Sequence, residues 1–517
     1  MFEYFTGAAA LRLFEIIVYS SLWIVIGCFI AAIFRRMLGP ETVRRIFGDH
    51  TRFGLLAGWL IGMLLPVCSL GVIPIVREMH RAGVKRGTIV AFGLTAPLFN
   101  PMSVLYGLTL SDPIAILTFC LCAMVIVSVV GFVWNRIAGV ADETETDEAV
   151  PSSGIKRTIS IFDSASRELI GATMKYIIIG IAASVLLAVL LPHGYLQNQV
   201  ERDNVIAPIV VAAVATPIYS TPLLSMSQIG GMFQHGNSIG AAFSLLILGA
   251  GVNIGLLTWF AQTYGLKRFI TFFTLLVVTT IGLAYLIDKP LYPKGVEPAG
   301  HTHAFDVYTN PFSSTQDIYG TAQKKIVDFW QANEFGGTYL LGLLIVLGLV
   351  FKQVSKRKDL EHWYNQTEER SSKLDREVPS WVLGITVVIG LVYASVAGSY
   401  LYYPAPKDIL PDLSAVNTEA VLCARTKDWV AAEKWIAFSD DLSRRVEVGV
   451  YLRHGSVSEF KTGKARVYRE KLDELKMAVD TRDETNVAEI AMDVSNAYLR
   501  LSAAFKDDGD AKQKTGR

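Results

Sequence analysis

The sequence predicts an all-α polytopic membrane protein. It has two repeated halves, each with a broken or re-entrant helix, then two extra transmembrane helices and a C-terminal soluble helical domain. Three observations predict this. Of 517 residues, 51% are hydrophobic and only 18% are charged, where a soluble chain carries about a quarter charged. The apolar residues fall in blocks near the roughly 20 residues that a helix needs to cross hydrocarbon. One interrupted apolar motif also occurs twice, and past Pro404 the composition turns charge-balanced.

The first block, Leu13 to Phe34, is followed by Arg35 and Arg36 and by no small-residue cleavage site, so it reads as a retained span. Further blocks occupy 53–76, 88–110, 114–134, 174–191, 206–229, 238–260, 269–287, 336–351 and 381–402. The implied units are a first repeat (1–134), a flexible cytoplasmic linker (135–173, with "ADETETDEAVPSSG") and a second repeat (174–287). An outer loop (288–335), two additional spans (336–402) and an extracytoplasmic helical domain (408–517) complete the chain. In that domain Val487, Ile490, Val494, Ala497, Tyr498, Leu501 and Phe505 recur at helical spacing, as do Phe460, Val467, Leu472, Leu475 and Val479. Two such faces bury each other in a small bundle. The last ten residues read as a frayed tail.

The repeat is visible in two stretches, "PVCSLGVIPIVREMHRAGVKRGTIVAFGLTAPLFNP" (66–101) and "PIYSTPLLSMSQIGGMFQHGNSIGAAFSLLILGAGVNI" (217–254). Pro66 and Ser69 match Pro217 and Ser220. Allowing two extra residues in the second copy, Met79, Gly83, Gly87 and Asn100 match Met232, Gly236, Gly240 and Asn253. Both glycine pairs are expected to serve close helix packing.

Basic residues mark cytoplasmic loops. Arg35, Arg36, Arg44, Arg45 and Arg52 precede block 53–76, and Arg77, Arg81, Lys85 and Arg86 follow it. Both its ends are then inside, so it enters, turns and returns. Read as one span kinked at Pro66, it would put four basic residues outside, against the same rule. Each half has three full spans and one hairpin, and the odd count inverts the second copy. The basic loop from Lys352 to Arg376 lies inside, and the span 381–402 carries 408–517 outside.

Backbone groups freed by a helix break cannot face lipid. Pro66, Cys68, Ser69 and Gly71, with Pro217, Tyr219, Ser220, Thr221 and Pro222, should therefore face inward. Asn100 lies between Pro97 and Pro101, and Asn253 follows "GAGV". The expected substrate-pathway residues are Cys68, Ser69, Asn100, Tyr219, Ser220, Thr221 and Asn253. The plainer reading of each asparagine is a helix-to-helix bond worth about 1 kcal/mol. Water access through the break would make Cys68 more reactive than Cys120 or Cys122; an inert buried thiol is the plainer reading.

The first motif resembles the signature of the predicted-permease family that includes the methylarsenite efflux permeases and related copper/zinc export proteins. A cysteine-containing break, a G-x-x-x-G loop and an A-P-x-x-N-P helix carry the resemblance, which covers residues 1–290. It implies a permease of the cytoplasmic membrane. Many members read C-S-C-G where this chain has Cys68-Ser69-Leu70-Gly71, and a soft metal or trivalent arsenic prefers several thiolates.

Other signals lead nowhere. Gly236-Asn237-Ser238-Ile239-Gly240 matches a hydrolase elbow but lacks the strand it needs. His301 and His303 have no companion ligands, and no phosphate-loop motif occurs. Glu15, the main acidic residue of the spans, sits near an outer end where water can reach it. No cofactor, metal site or catalytic residue is expected. A net charge of +1 gives no reason to expect nucleic acid, and five scattered cysteines give no disulfide framework. The expected partners are membrane lipid, a small-molecule or ion substrate and an extracytoplasmic protein for 408–517; the oligomeric state stays open. The functional expectation is a bacterial inner-membrane permease, with a membrane-anchored receptor or assembly protein acting through 408–517 as the alternative.

Overall fold

The computed structural model describes the chain outside residues 1, 49–52, 139–154, 197–198, 294–295, 297–303, 313–317, 332–334, 358–379 and 515–517. His301, His303, most of the acidic linker and most of the basic loop before the last span lie outside the described residues. All regular structure among the described residues is helical. Five helical segments there are long and apolar enough to cross a membrane, and a bent pair makes a sixth.

Helix α1 (Phe2–Ile33) leads through a π-helical turn into α2 (Gly39–Ile46). Block 53–76 is two short helices, α3 (Gly54–Leu64) and α4 (Val72–Arg81), and block 88–110 is α5 (Arg86–Thr95) and α6 (Pro101–Leu110). One long helix follows, α7 (Pro113–Ile137). Helices α3 and α5 run in the same direction: Gly58 lies against Thr88 and Ala91, and Gly62 against Thr95 and Ala96. Helix α4 turns back into α5 at Gly83, with Val76 against Gly93. Helices α3 and α4 are therefore antiparallel, and the chain doubles back through Leu65–Gly71. The ends agree, because Gly54 sits beside the Phe47 carbonyl and Gly83 beside the Arg44 side chain.

The expected linker is shorter than its composition suggests. Its second half forms α8 (Ile155–Ile170), which packs against α1. Its apolar face alternates with charges over only 16 residues, too short to stand out as a span. After α9 (Ala172–Leu190) come α10 (Ala207–Ala215), α11 (Pro222–Gln234) and α12 (Ile239–Ser244), which continues as a π-helical turn, Leu245–Ala250. A 60° bend then leads into α13 (Ile254–Tyr264), and α14 (Leu266–Asp288) follows.

The two halves carry the same local devices at corresponding positions. Gly83 and Gly236 both have positive φ, 76° and 63°. Each closes the same helix end: the Val84 amide donates to the Met79 carbonyl, and the Asn237 amide to the Met232 carbonyl. These two glycines are turn residues, which corrects the expectation that they serve packing. Gly87 and Gly240 do serve packing. A Cβ would stand 2.3 Å from the Gly131 carbonyl oxygen at the first and 2.7 Å from that of Ala284 at the second. Their amides donate to Asn135 and Asp288, each at 2.7 Å. The equivalent long helices run in opposite directions. Trp134, late in α7, stacks on Tyr264 just before α14, while Phe119, early in α7, meets Phe243 and Phe233.

Beyond the core, a short 3-10 turn (Asp306–Tyr308) precedes α15 (Ile318–Gln331). Helix α16 (Gly336–Arg357) packs on α1 and α8, and α17 (Ser380–Tyr402) on α6, α3 and α2. The C-terminal region is a ring of four helices: α18 (Pro406–Arg425), α19 (Trp429–His454), α20 (Glu459–Asp480) and α21 (Val487–Lys514). A buried pair, Glu447 with Arg469, ties α19 to α20. Basic residues gather at one end of the core, where Arg77 and Arg81 bond Glu168 at 3.0 and 3.1 Å. The bundle docks at the other end, through His235 with Asp473 and Lys476 with Asp306.

Two outcomes are expected. Gly87→Ala should destabilise the protein by about 1–3 kcal/mol through overpacking. Gly282→Ala, with nothing within 4 Å, should not; thermal unfolding in detergent compares them. Asp483 accepts hydrogen bonds from Thr485 and Asn486, which hold its carboxyl down at about 2. A depressed carboxylate contributes stability that is present above its unfolded value of about 4 and lost as pH falls through the folded one. Protection of the amides at the start of α21 relative to their intrinsic exchange rates should therefore fall between about pH 4 and 2, and Asp483→Asn should remove that dependence.

Candidate functional site

Each break has a sequence reason. Pro66 and Pro217 cannot donate to the preceding turn, and Pro101 and Pro222 stand at the first turns of α6 and α11, where a missing amide costs nothing. Pro97 lies in the turn that ends α5. Four short helices begin at the breaks; three starts are capped by a side chain, and before the fourth a thiol accepts from the N-cap amide. The Gly71 amide donates to Cys68 Sγ at 3.3 Å before α4. Asn100 Oδ1 accepts from the Ser103 amide at 2.8 Å, Thr221 Oγ1 from that of Leu224 at 3.1 Å, and Asn253 Oδ1 from that of Leu256 at 2.9 Å. Asn100 and Asn253 have nearly the same backbone angles, φ −142° ψ 163° and φ −148° ψ 164°.

The breaks meet. Asn253 Nδ2 donates to the Ser69 carbonyl at 2.6 Å, joining the two halves through buried groups. The Tyr219 hydroxyl lies near the Cys68 thiol and donates to the Tyr19 carbonyl at 3.5 Å. Leu98, beside Asn100, packs on Gly251, beside Asn253. Helix α1 crosses closely enough that a Cβ on Gly71 would stand 2.4 Å from the Trp23 carbonyl oxygen. Four helix N-termini thus open on one buried centre, and their amide dipoles make it electropositive with no carboxylate bonded to it among the described residues. Two polar atoms there, Ser69 Oγ and Gln228 Nε2, have no hydrogen-bond partner.

One contributor comes from the loop after α14. Tyr308 reaches in and donates to Gln228 Oε1 at 2.8 Å, and its oxygen lies 3.2 Å from Ser220 Oγ. Ser220 in turn bonds Ser225 Oγ at 2.7 Å. Arg12 grips the same loop through the carbonyls of Asp306 and Thr309 at 2.7 and 2.8 Å. Lys476 of the bundle bonds Asp306 at 2.9 Å. Burial works against the Lys476 charge, but Asp306 and Asp480 more than offset it and raise its pKa.

The structure therefore brings Cys68, Ser69, Tyr219, Ser220 and Asn253 into one cluster. Asn100 and Thr221 border it as helix caps, with Asn100 held in a reciprocal capping box with Ser103. Cys68 is fully buried, while Cys120 is half-buried. Glu15 is not simply solvated: it pairs with Arg12 at 2.6 Å. Gln228, Ser225 and Tyr308 were not legible as site residues. A glutamine in the apolar run of α11 is a signal that could have found Gln228; Tyr308 lies in a polar loop with no motif.

A multi-pass chain whose broken helices meet around a buried polar centre has the build of a membrane permease. The chain belongs to the family described as predicted permease, whose model matches residues 7–289, more than half of its length. It is similar to UPF0718 protein YcgR of Bacillus subtilis (strain 168), 35% identical over 88 residues, 17% of this chain and 30% of that one. It is also similar to a Streptococcus mutans protein named as a candidate subunit of a two-component membrane permease complex, 28% identical over 88 residues, 17% of this chain and 29% of that one. The matches span less than a third of either relative's length. No solved structure matches the chain.

Asn253→Ala leaves both the Leu256 amide and the Ser69 carbonyl unpaired, at about 1–3 kcal/mol each. Asn253→Ser keeps a cap acceptor and loses the bond to Ser69. Thermal unfolding should rank Asn253→Ala below Asn253→Ser, and both below the parent.

Proposed function

We propose that this permease moves a small solute across a bacterial cytoplasmic membrane through the centre where the four breaks meet, and that its two halves are inverted copies. The observation that carries the reading is the Asn253-to-Ser69 bond, which joins the second break of one half to the first break of the other. The matched glycine turns, the matched asparagine caps and the opposed directions of α7 and α14 support the inversion. Metalloid or metal species are the substrate class, and export the direction, that the family resemblance suggests. Cys68 is the one thiol in the centre, so such a substrate would be held by one sulfur and several oxygen or nitrogen groups.

The gathering of Arg77, Arg81 and Arg36 at one end supports a cytoplasmic placement for it. On that reading the bundle 408–517 lies outside, where it can meet a partner protein; the permease-complex relative is consistent with one.

A metal- and metalloid-sensitivity screen of a deletion strain identifies the solute. Uptake by membrane vesicles of that solute should then fall at least tenfold in Asn253→Leu and Asn100→Leu relative to the parent, at equal membrane abundance. Equal flux through parent and variants would show that the solute passes elsewhere. Protease added to intact spheroplasts should remove residues 408–517 and spare the 358–379 loop; the reverse pattern would invert the topology.

A further inference from the structure

The segment from Asp306 to Asn310 is the part of the structure that the permease reading does not yet use. It is a strap over the second break. Arg12 holds its carbonyls, the Asn310 amide donates to the Leu191 carbonyl at 2.9 Å, and His193 Nδ1 lies 3.0 Å from the Asn310 carbonyl oxygen. From this strap Tyr308 puts a hydroxyl into the buried centre, between Gln228 and Ser220. A further donor of that centre, Gln228 Nε2, has no acceptor among the described residues, although Gln228 is only 5% exposed. A buried donor left unpaired costs about 1–3 kcal/mol, and such groups call for an explanation. Here the explanation is a ligand atom that arrives when the site is in use.

We propose that Gln228 and Ser220 form an outer solute-binding subsite, and that Tyr308 is its plug, standing in the closed state where a solute oxygen stands in the loaded one. The phenol tells what the site takes. Tyr308 gives one hydrogen bond to Gln228 Oε1 and meets the Ser220 hydroxyl, so its replacement carries an O–H that both donates and accepts. Among the described residues no charged side chain is hydrogen-bonded to Tyr219, Ser220, Ser225, Gln228 or Tyr308. The nearest helix-start amide, that of Leu224, is already taken by Thr221. A full anion stripped of water there would meet only the partial charge of the helix ends and no charged side chain bonded to these groups among the described residues, which is costly. The ligand class is therefore a small, uncharged, hydroxylated solute. The C-terminal bundle sets how firmly the plug is held, because Lys476 of α20 grips Asp306, two residues before Tyr308. The inference rests on the permease reading, since the plug closes the pathway proposed there.

Cys68 reports the plug's state without any transport assay, because its thiol lies near the Tyr219 hydroxyl, and Tyr219 is next to Ser220. Full-length protein in membranes opened on both sides is treated with a charged methanethiosulfonate, and labelling of Cys68 is timed with the other four cysteines replaced by alanine. The parent should label slowly. Tyr308→Ala should label at least tenfold faster, Tyr308→Phe and Lys476→Met several-fold faster, and Lys324→Met, which breaks a bundle contact away from the strap, at the parental rate. Boric acid, uncharged and hydroxylated, should slow labelling of Tyr308→Ala, and inorganic phosphate should not. Fast labelling of the parent, or no acceleration in Tyr308→Phe and Lys476→Met, overturns the plug. Acceleration with no protection by boric acid, or with protection by phosphate, overturns the ligand class. Either failure leaves the flux test on Asn100 and Asn253 standing, so the two readings fail separately.

Discussion

The constraint on which the structure depends is that no backbone polar group can be left open to hydrocarbon. A membrane protein that breaks its helices must repair each break from within. This chain makes four breaks and repairs them with short side chains at the helix starts: Cys68, Asn100, Thr221 and Asn253. The repairs also dictate the packing. The breaks must be covered by protein, so they collect at the centre, and α1 closes over the first at a contact that only glycine permits. A polar centre inside an apolar shell follows from covering the breaks, before any solute is considered.

The C-terminal bundle belongs to the same arrangement. It grips the strap through Lys476 and the turn before α12 through His235, and Arg453 of α19 donates to the Tyr403 carbonyl at the exit of α17. Tyr403 in turn donates to the Met102 carbonyl near the start of α6. A domain that sequence alone presents as an appendage is thus mechanically continuous with two of the four breaks. A rigid route of this kind can carry a partner's binding inward to the centre, since a shift of α20 moves Asp306 and a shift of α19 moves the start of α6.

The span pattern, the broken motifs and their pairing were legible because each is local. Apolar length sets a span, proline and glycine set a break, and an asparagine before a helix sets a cap. The doubled-back course of block 53–76 was legible from charge, because basic side chains at both ends demand the same aqueous face. Helix α8 was hidden by its mixed composition. The roles of Gly83 and Gly236 were misread because a G-x-x-x-G spacing suits both a packing face and a turn, and only the backbone angle separates them.

By itself the sequence determined which residues interrupt the helices, and it suggested which of them pair across the two halves. The tertiary structure decided which of them meet. Nothing local to Asn253, which caps its helix as Asn100 does, says that its amide nitrogen also crosses to Ser69. Nothing local to Tyr308 says that a loop residue enters the core beside Gln228. Those outcomes depend on contacts between segments far apart in the chain. Helix propensity, capping and hydropathy are set over a few neighbouring residues, and they carry no information about which distant break a given side chain will face.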